Sequence, residues 1–154
     1  MIKLVAYDED YLALSGKWLR DSEVKKLTMT ADFTDKQQCS FFCSLPSRKN
    51  YRIFGIDYEG RKIGAAGLKN IEGGVGEYWG YIGEKDLWGK GLGQLIIAQV
   101  FVYARSIGVT SVFLKVSPDN IRAIKLYERI GFKMNGDIEG LRLMNIDIGG
   151  ELNV

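Results

Sequence analysis

The sequence contains no histidine. This removes the Ser–His and Cys–His nucleophile schemes and the usual proton shuttle near neutral pH. Any acid–base work falls to Glu, Asp, Tyr or water. Cysteine is scarce. Cys39 and Cys43 are the two in the chain, one turn apart in a predicted helix. Cysteines on consecutive turns of one helix rarely bond to each other, and without His or further Cys they make a poor metal site, so no metal is expected. They read as core or boundary thiols in a reducing cytoplasm. Charge of one sign is not in excess either. Against 21 Lys and Arg stand 19 Asp and Glu, a net charge of +2. With no Lys/Arg run, no nucleic-acid partner is expected. No apolar stretch approaches a membrane span and no secretory signal opens the chain, so no membrane partner is expected. Repeats, linkers and low-complexity segments are absent. What remains is 154 residues, 46% hydrophobic and 26% charged, suited to one domain with a full core.

Against this ordinary background one stretch stands out. Trp88-Gly89-Lys90-Gly91-Leu92-Gly93 runs directly into the apolar Leu95-Ile96-Ile97-Ala98. Three glycines at alternate positions leave backbone N–H groups uncovered where a helix should begin. The first turn of a helix has unpaired donors and a partial positive charge. Together they form a ready site for a phosphate or pyrophosphate. The nucleotide-hydrolase loop does not fit. Five residues, not four, separate Gly83 from Gly89-Lys90, and Gly91 stands where a hydroxyl should be. The dinucleotide fingerprint fails at Gln94, where its third glycine should stand.

Periodicity gives the remaining layout. Met1 to Tyr7 reads as a strand. Asp8 or Asp10 can cap a helix through about Arg20, with Tyr11, Leu14 and Trp18 along one face. Val24 to Ala31 has no regular pattern. Thr34-Asp35-Lys36-Gln37 is a capping-box signature, opening a helix to about Ser44 that Pro46 stops. Strands follow at Tyr51–Tyr58, Lys62–Asn70 and Gly76–Gly83, joined by Glu59-Gly60 and Gly73-Gly74. A largely buried helix spans about Gly93 to Ile107 and is closed by Gly108. Thr110 to Val116 alternates as a strand does. Ser117-Pro118-Asp119-Asn120 breaks it and offers capping oxygens. Ile121 to Ile130 is a helix ended by Gly131. Phe132 opens another strand, Arg142 to Ile148 is the last, and Gly149 onward reads as a tail. The sum is an α+β fold with a mixed, mostly antiparallel sheet.

The segment Asn120-Ile121-Arg122-Ala123-Ile124-Lys125-Leu126-Tyr127-Glu128-Arg129-Ile130-Gly131-Phe132 carries the most specific pattern. It resembles the N-x-x-A-x-x-L-Y-x-x-x-G-F helix of the GCN5-related N-acetyltransferases at every fixed position. Gly91-Leu92-Gly93 resembles the end of that family's Q/R-x-x-G-x-G/A loop, with Trp88 where Gln or Arg is usual. The resemblance is specific from about Glu77 to Phe132. It implies an acyl-CoA N-acyltransferase fold over residues 1–148, with fourth and fifth strands splayed near 77–83 and 110–116 to admit the acyl-CoA arm. Offsets of three and seven put Asn120, Ala123 and Tyr127 on one helical face.

The resemblance implies direct acyl transfer from acetyl-CoA to an amine. Tyr127 matches the position that protonates the leaving sulfur. A backbone N–H at Tyr81 or Ile82 matches the donor to the thioester carbonyl. Glu77 matches the place where several relatives keep a base, acting directly or through water. Gly83, Trp88, Gly89, Lys90, Gly91, Leu92 and Gly93 would hold the cofactor, the glycine loop at its diphosphate, with Asn120 and Ala123 along the pantetheine arm. Trp88-Gly89-Lys90-Gly91 resembles the branch that contains ribosomal-protein and small-amine acetyltransferases, and Lys17-Trp18-Leu19-Arg20, with Val24 a short way on, resembles the start of bacterial acetyltransferases that modify amino sugars carried on nucleotides. Trp18 and Trp79 are the candidate platforms for that acceptor, a small-molecule primary amine. A protein N-terminus or a polyamine is the competing acceptor, and a non-catalytic acyl-CoA sensor is the competing class. Homodimerisation is left open.

Overall fold

Asp8 opens the first helix by accepting a hydrogen bond from the Tyr11 N–H (3.1 Å), as a side-chain cap should. In the computed structural model, which describes residues 1–149, that helix is α1 (Glu9–Trp18), and it follows β1 (Ile2–Ala6). Then come α2 (Ser22–Thr28), α3 (Asp35–Ser44), β2 (Arg52–Tyr58), β3 (Arg61–Glu72), β4 (Val75–Ile82), α4 (Leu92–Ser106), β5 (Ser111–Val116), α5 (Ile121–Ile130), β6 (Lys133–Ile138) and β7 (Leu141–Asp147). The expected capping box is present, with Thr34 and Gln37 bonding reciprocally at the start of α3. Residues 150–154 of the expected tail lie outside the described residues.

Two expectations are corrected. The patternless stretch after Arg20 contains α2, whose N-cap Asp21 accepts from the Glu23 and Val24 N–H groups. Only Val24 of its seven residues is buried, so there is no apolar stripe for periodicity to detect. Cys39 and Cys43 are exposed rather than core or boundary residues. Helix α3 has no buried residue at all, and its cysteines face solvent.

The seven strands form one sheet in the order β1-β2-β3-β4-β5-β7-β6. Pairing is antiparallel throughout except between β4 and β5. Those two strands are bonded only at Val75–Ser111, Gly76–Val112 and Glu77–Phe113. Beyond Glu77 they part. The expected splay is therefore present, and it begins at the middle of β4. Strand alternation sends successive side chains to opposite faces. On one face Ile56, Ile63, Leu68, Val112, Leu114 and Met144 pack with Ile97 and Val100 of α4 and Ile124 of α5 in the main core. On the other face Tyr11, Trp18 and Val24 form a smaller cluster with Val5, Tyr81 and Trp88. The parting strands thus lie between two helical layers, α4 and α5 on one side and the first helices on the other.

Candidate active site

The glycine loop enters α4 in an unusual conformation. Gly89 and Gly91 have φ of +76° and +79°, and a Cβ at either would meet nothing within 4 Å. Gly91 is the N-cap, with no side-chain bond closing the helix end. The first-turn N–H groups of a 15-residue helix therefore face open space, bordered by the exposed Lys90. This cradle suits a diphosphate. Two other residues of the motif serve packing. Leu92 is buried in the main core. A Cβ on Gly93 would stand 2.9 Å from Leu126 of α5, so this glycine lets the two helices approach. Trp88 is half-buried, and its indole N–H donates to the Ile82 carbonyl (2.8 Å), anchoring the loop to the end of β4.

Main-chain directions at that strand end follow from two bonds. The Gly83 N–H donates to Ile63 (2.7 Å), the residue just before β3 pairing resumes, whereas the Ile82 carbonyl points the other way, to Trp88. Alternate residues of a strand direct their polar groups to opposite edges. Tyr81 therefore turns its main chain toward β3, and Ile82 turns its own toward the gap. Of the two candidate carbonyl donors, Ile82 has the free orientation.

Asn120 caps α5, its side-chain oxygen accepting from the Ala123 N–H (3.3 Å). Tyr127 lies two turns on, half-buried. Its ring meets Tyr78 of β4 edge-on at 6.4 Å and Phe132 at 5.6 Å. Burial pushes its hydroxyl up to about 12, so at neutral pH it keeps its proton and can donate it. Tyr78 faces the α5 side of β4. Glu77, Trp79 and Tyr81 face the other side.

Glu77 is 4% exposed and sits at the last bonded pair before the gap. Its carboxylate accepts from the Asn70 amide (2.9 Å) and stands 4.0 Å from the Lys69 ammonium. It does not line the neighbouring cavity. Trp79 and Tyr81 do. That cavity, about 270 Å3, opens on the α1–α3 side of β4. Its walls include Tyr7, Phe33, Phe41 and Tyr51, with Ser15, Gln37 and Gln38 as the polar side chains. No charged side chain lines it among the described residues. The Tyr7 and Tyr81 hydroxyls both donate to Ser15 Oγ (2.8 and 3.1 Å). The Trp79 indole N–H is buried without a partner. A buried orphan donor costs about 1–3 kcal/mol, so it is poised for an acceptor atom from a ligand.

Trp18 is placed differently. It is 3% exposed, lies edge-on to Tyr81 at 6.2 Å, and donates its indole N–H to Glu84 (2.6 Å). That bond and Arg61 (2.8 Å) hold the Glu84 carboxyl below its ordinary value. Trp18 is not among the cavity-lining residues and supports Tyr81 from beneath. Tyr7, Ser15, Phe41 and Tyr51 were not candidates from sequence. They come from separate elements, and no local spacing joins them.

A model described as the acetyltransferase (GNAT) family matches residues 17–132. A probable spermine N(1)-acetyltransferase of Bacillus subtilis subsp. natto is 31% identical over 97 residues, which cover 58% of this chain and 64% of that protein. The chain spans less than two thirds of the length of each curated relative it matches. The spermidine N-acetyltransferase of Vibrio cholerae, in complex with CoA and spermine, superposes with a TM-score of 0.85 at 20% identity, over 99% of this chain and 98% of that one. The N-acetyltransferase PseH of Campylobacter jejuni, in complex with acetyl coenzyme A, gives 0.75 at 20% identity, over 96% and 99%. At such identities these structures speak for the fold. With both motifs, the splayed strands and a family match over more than half its length, the chain belongs to the GNAT acetyltransferase family.

Proposed function

We propose that this protein moves an acetyl group from acetyl-CoA directly to the primary amine of a small molecule, and that the acceptor is an amino sugar carried on a nucleotide. The observation that carries the acceptor reading is the uncharged, aromatic-walled cavity on β4, beside the stretch where β5 has left it. Aromatic faces suit a sugar or a base. The thioester lies in the gap, with the cavity on one face of β4 and Tyr127 on the other. The amine enters from the cavity side and attacks the carbonyl carbon. The carbonyl oxygen gains charge, and the Ile82 N–H is aimed to meet it. The C–S bond breaks, and the thiolate takes the Tyr127 proton. Glu77 receives the amine's proton by way of water, since its carboxylate stands back from the cavity behind Asn70.

A polyamine is the second reading. It is favoured by the spermine and spermidine acetyltransferases among the sequence relatives. A polyamine carries a second ammonium, which needs a carboxylate when it is desolvated, and the cavity lining has none. The deciding assay offers acetyl-CoA with nucleotide-linked amino sugars, spermidine and short N-terminal peptides in parallel and follows CoA release. Selective turnover of the amino sugar is expected. Selective turnover of spermidine or of a peptide overturns the acceptor and leaves acetyl transfer standing. CoA release with none of them turns the reading toward an acyl-CoA-binding protein without this chemistry.

A further inference from the structure

The cavity's aromatic wall continues outward to a cation. Trp79 and Tyr51 stand 6.0 Å apart with rings tilted by 33°. The Arg48 guanidinium lies over the Tyr51 ring at 4.5 Å and within 5.9 Å of Phe41. Trp79, Tyr51 and Phe41 all line the cavity. Arg48 itself is exposed and makes no ion pair among the described residues. Arg20, which stacks on Phe33 at 4.5 Å, is by contrast bound to Asp35 at 2.8 Å. Arg48 is therefore an unneutralised cation at the rim of a cavity whose lining carries no charged side chain.

Its position is braced. Arg52 gathers the carbonyls of Arg48, Lys49 and Tyr51 with one terminal nitrogen (3.3, 3.0 and 2.9 Å). Its Nε donates to Tyr103 of α4 (3.0 Å). The turn carrying Arg48 is thus tied to the strand and to α4 before any ligand arrives. A planar guanidinium held on aromatic faces keeps its donor edges free and loses little freedom on pairing with an oxyanion. The orphan Trp79 N–H, further in, is a second donor that wants an oxygen. The Arg48 guanidinium and the Trp79 indole N–H can only donate.

We infer that Arg48 is a specificity-determining residue that binds a phosphoryl group on the acceptor, so that the enzyme selects amines carrying phosphate and rejects free amino sugars and polyamines. This rests on the acetyl-transfer reading above and narrows its acceptor. The Tyr51–Trp79 pair supports the flat part of the molecule, and the amine extends toward the gap.

The test compares wild type with Arg48→Gln and Arg48→Lys. A uridine-diphosphate-linked amino sugar and the same amino sugar without its nucleotide are the acceptors. For wild type, the nucleotide-linked acceptor should have the higher kcat/KM by roughly tenfold or more, the size of one charge-assisted contact. Arg48→Gln should raise KM for it by a similar factor and leave kcat and the neutral acceptor unchanged. Arg48→Lys should recover only part, having charge without the planar fork. Binding is measured separately by titrating uridine diphosphate into protein saturated with CoA, so that the cofactor's own diphosphate site is filled. Wild type should bind, and Arg48→Gln should lose roughly tenfold. Equal titrations for the two proteins, or none for wild type, overturn the inference even if no amine is acetylated. Turnover of the neutral acceptor with normal uridine diphosphate binding to Arg48→Gln would sink the role of Arg48 alone. A bound diphosphate with no acetylation of any amine would sink the acetyl-transfer reading alone.

Discussion

Gly83 lies flat against Trp18. A Cβ on Gly83 would stand 2.2 Å from two atoms of the indole ring, closer than any side chain can come. The ring cannot retreat freely, because its N–H is bonded to Glu84 and Tyr81 packs on its edge. Gly83→Ala should therefore destabilise the protein by about 1–3 kcal/mol, as overpacking does. Denaturant midpoints measure it. A midpoint unchanged from wild type would mean that the indole yields, and that the floor beneath Tyr81 is softer than its contacts indicate.

At Gly91 the space is open and the demand is on the backbone and the ligand. Gly91→Val should weaken acetyl-CoA binding at least tenfold by calorimetry, because the branched side chain fills the cradle above the first turn of α4. It also forces a β-branched residue to positive φ, at about 1–2 kcal/mol. Gly60→Val is the control. Its φ is +87°, its surroundings are equally empty, and it lies in the β2–β3 turn. The two variants should lose similar stability, and only the first should lose acetyl-CoA. Equal binding in both would remove the diphosphate from the loop.

Tyr127→Phe deletes one hydroxyl and keeps the ring that packs on Tyr78 and Phe132. Turnover should fall by roughly 10- to 1000-fold, the range of general-acid contributions, with acetyl-CoA affinity nearly unchanged. Steady-state kinetics beside a binding titration separate the two. Unaltered kcat would assign the sulfur's proton to water.

Glu77→Gln keeps an acceptor for the Asn70 amide and removes the group that takes a proton. Turnover should fall by roughly 10- to 1000-fold, the range of general-base contributions, with the denaturant midpoint little changed. Unaltered turnover beside a drop in stability would make Glu77 a purely structural partner of Asn70 and Lys69.

Alkaline conditions probe the tyrosines together. Burial pushes Tyr51 and Tyr127 up to about 12, and burial with the nearby Asp57 and Asp8 charges does the same for Tyr11. Outside the fold each titrates near 10.0. Between those values the unfolded chain has released protons that the folded chain retains. Stability is therefore intact below pH 10 and falls as pH rises toward 12. Tm against pH should bend downward above 10, and Tyr51→Phe should flatten part of the bend. A flat profile to pH 12 would contradict the burial of these hydroxyls.

Much of the fold was legible because its signals are local. Thr34 and Gln37 announce a helix start within four residues, and Gly108 and Gly131 mark helix ends by the positive φ they adopt. The glycine loop and the Asn120 helix start are contiguous motifs, so the helices they open could be read directly. The cavity could not. Tyr7, Ser15, Tyr51 and Trp79 meet only after β1, α1 and β4 are docked, and Ser15 is 2% exposed at a position where the expected stripe names Leu14. Trp18 illustrates the opposite case. The resemblance of its segment suggested a platform, but its ring packs against Gly83, a neighbour 65 positions away in sequence that no helical pattern includes.

The parting of β4 and β5 has a consequence for how the molecule breathes. Three residue pairs hold a four-stranded half, β1 to β4, to a three-stranded half, β5 to β7. So short a seam leaves the two halves joined chiefly through the core they share on α4, and makes the strand contact between them the part that opens most readily. Amide hydrogens on the seam should exchange through an opening far cheaper than global unfolding, while those inside each half wait for the larger event. A ligand whose amides run along the exposed edge of β4 would lengthen the seam and raise the cost of that opening.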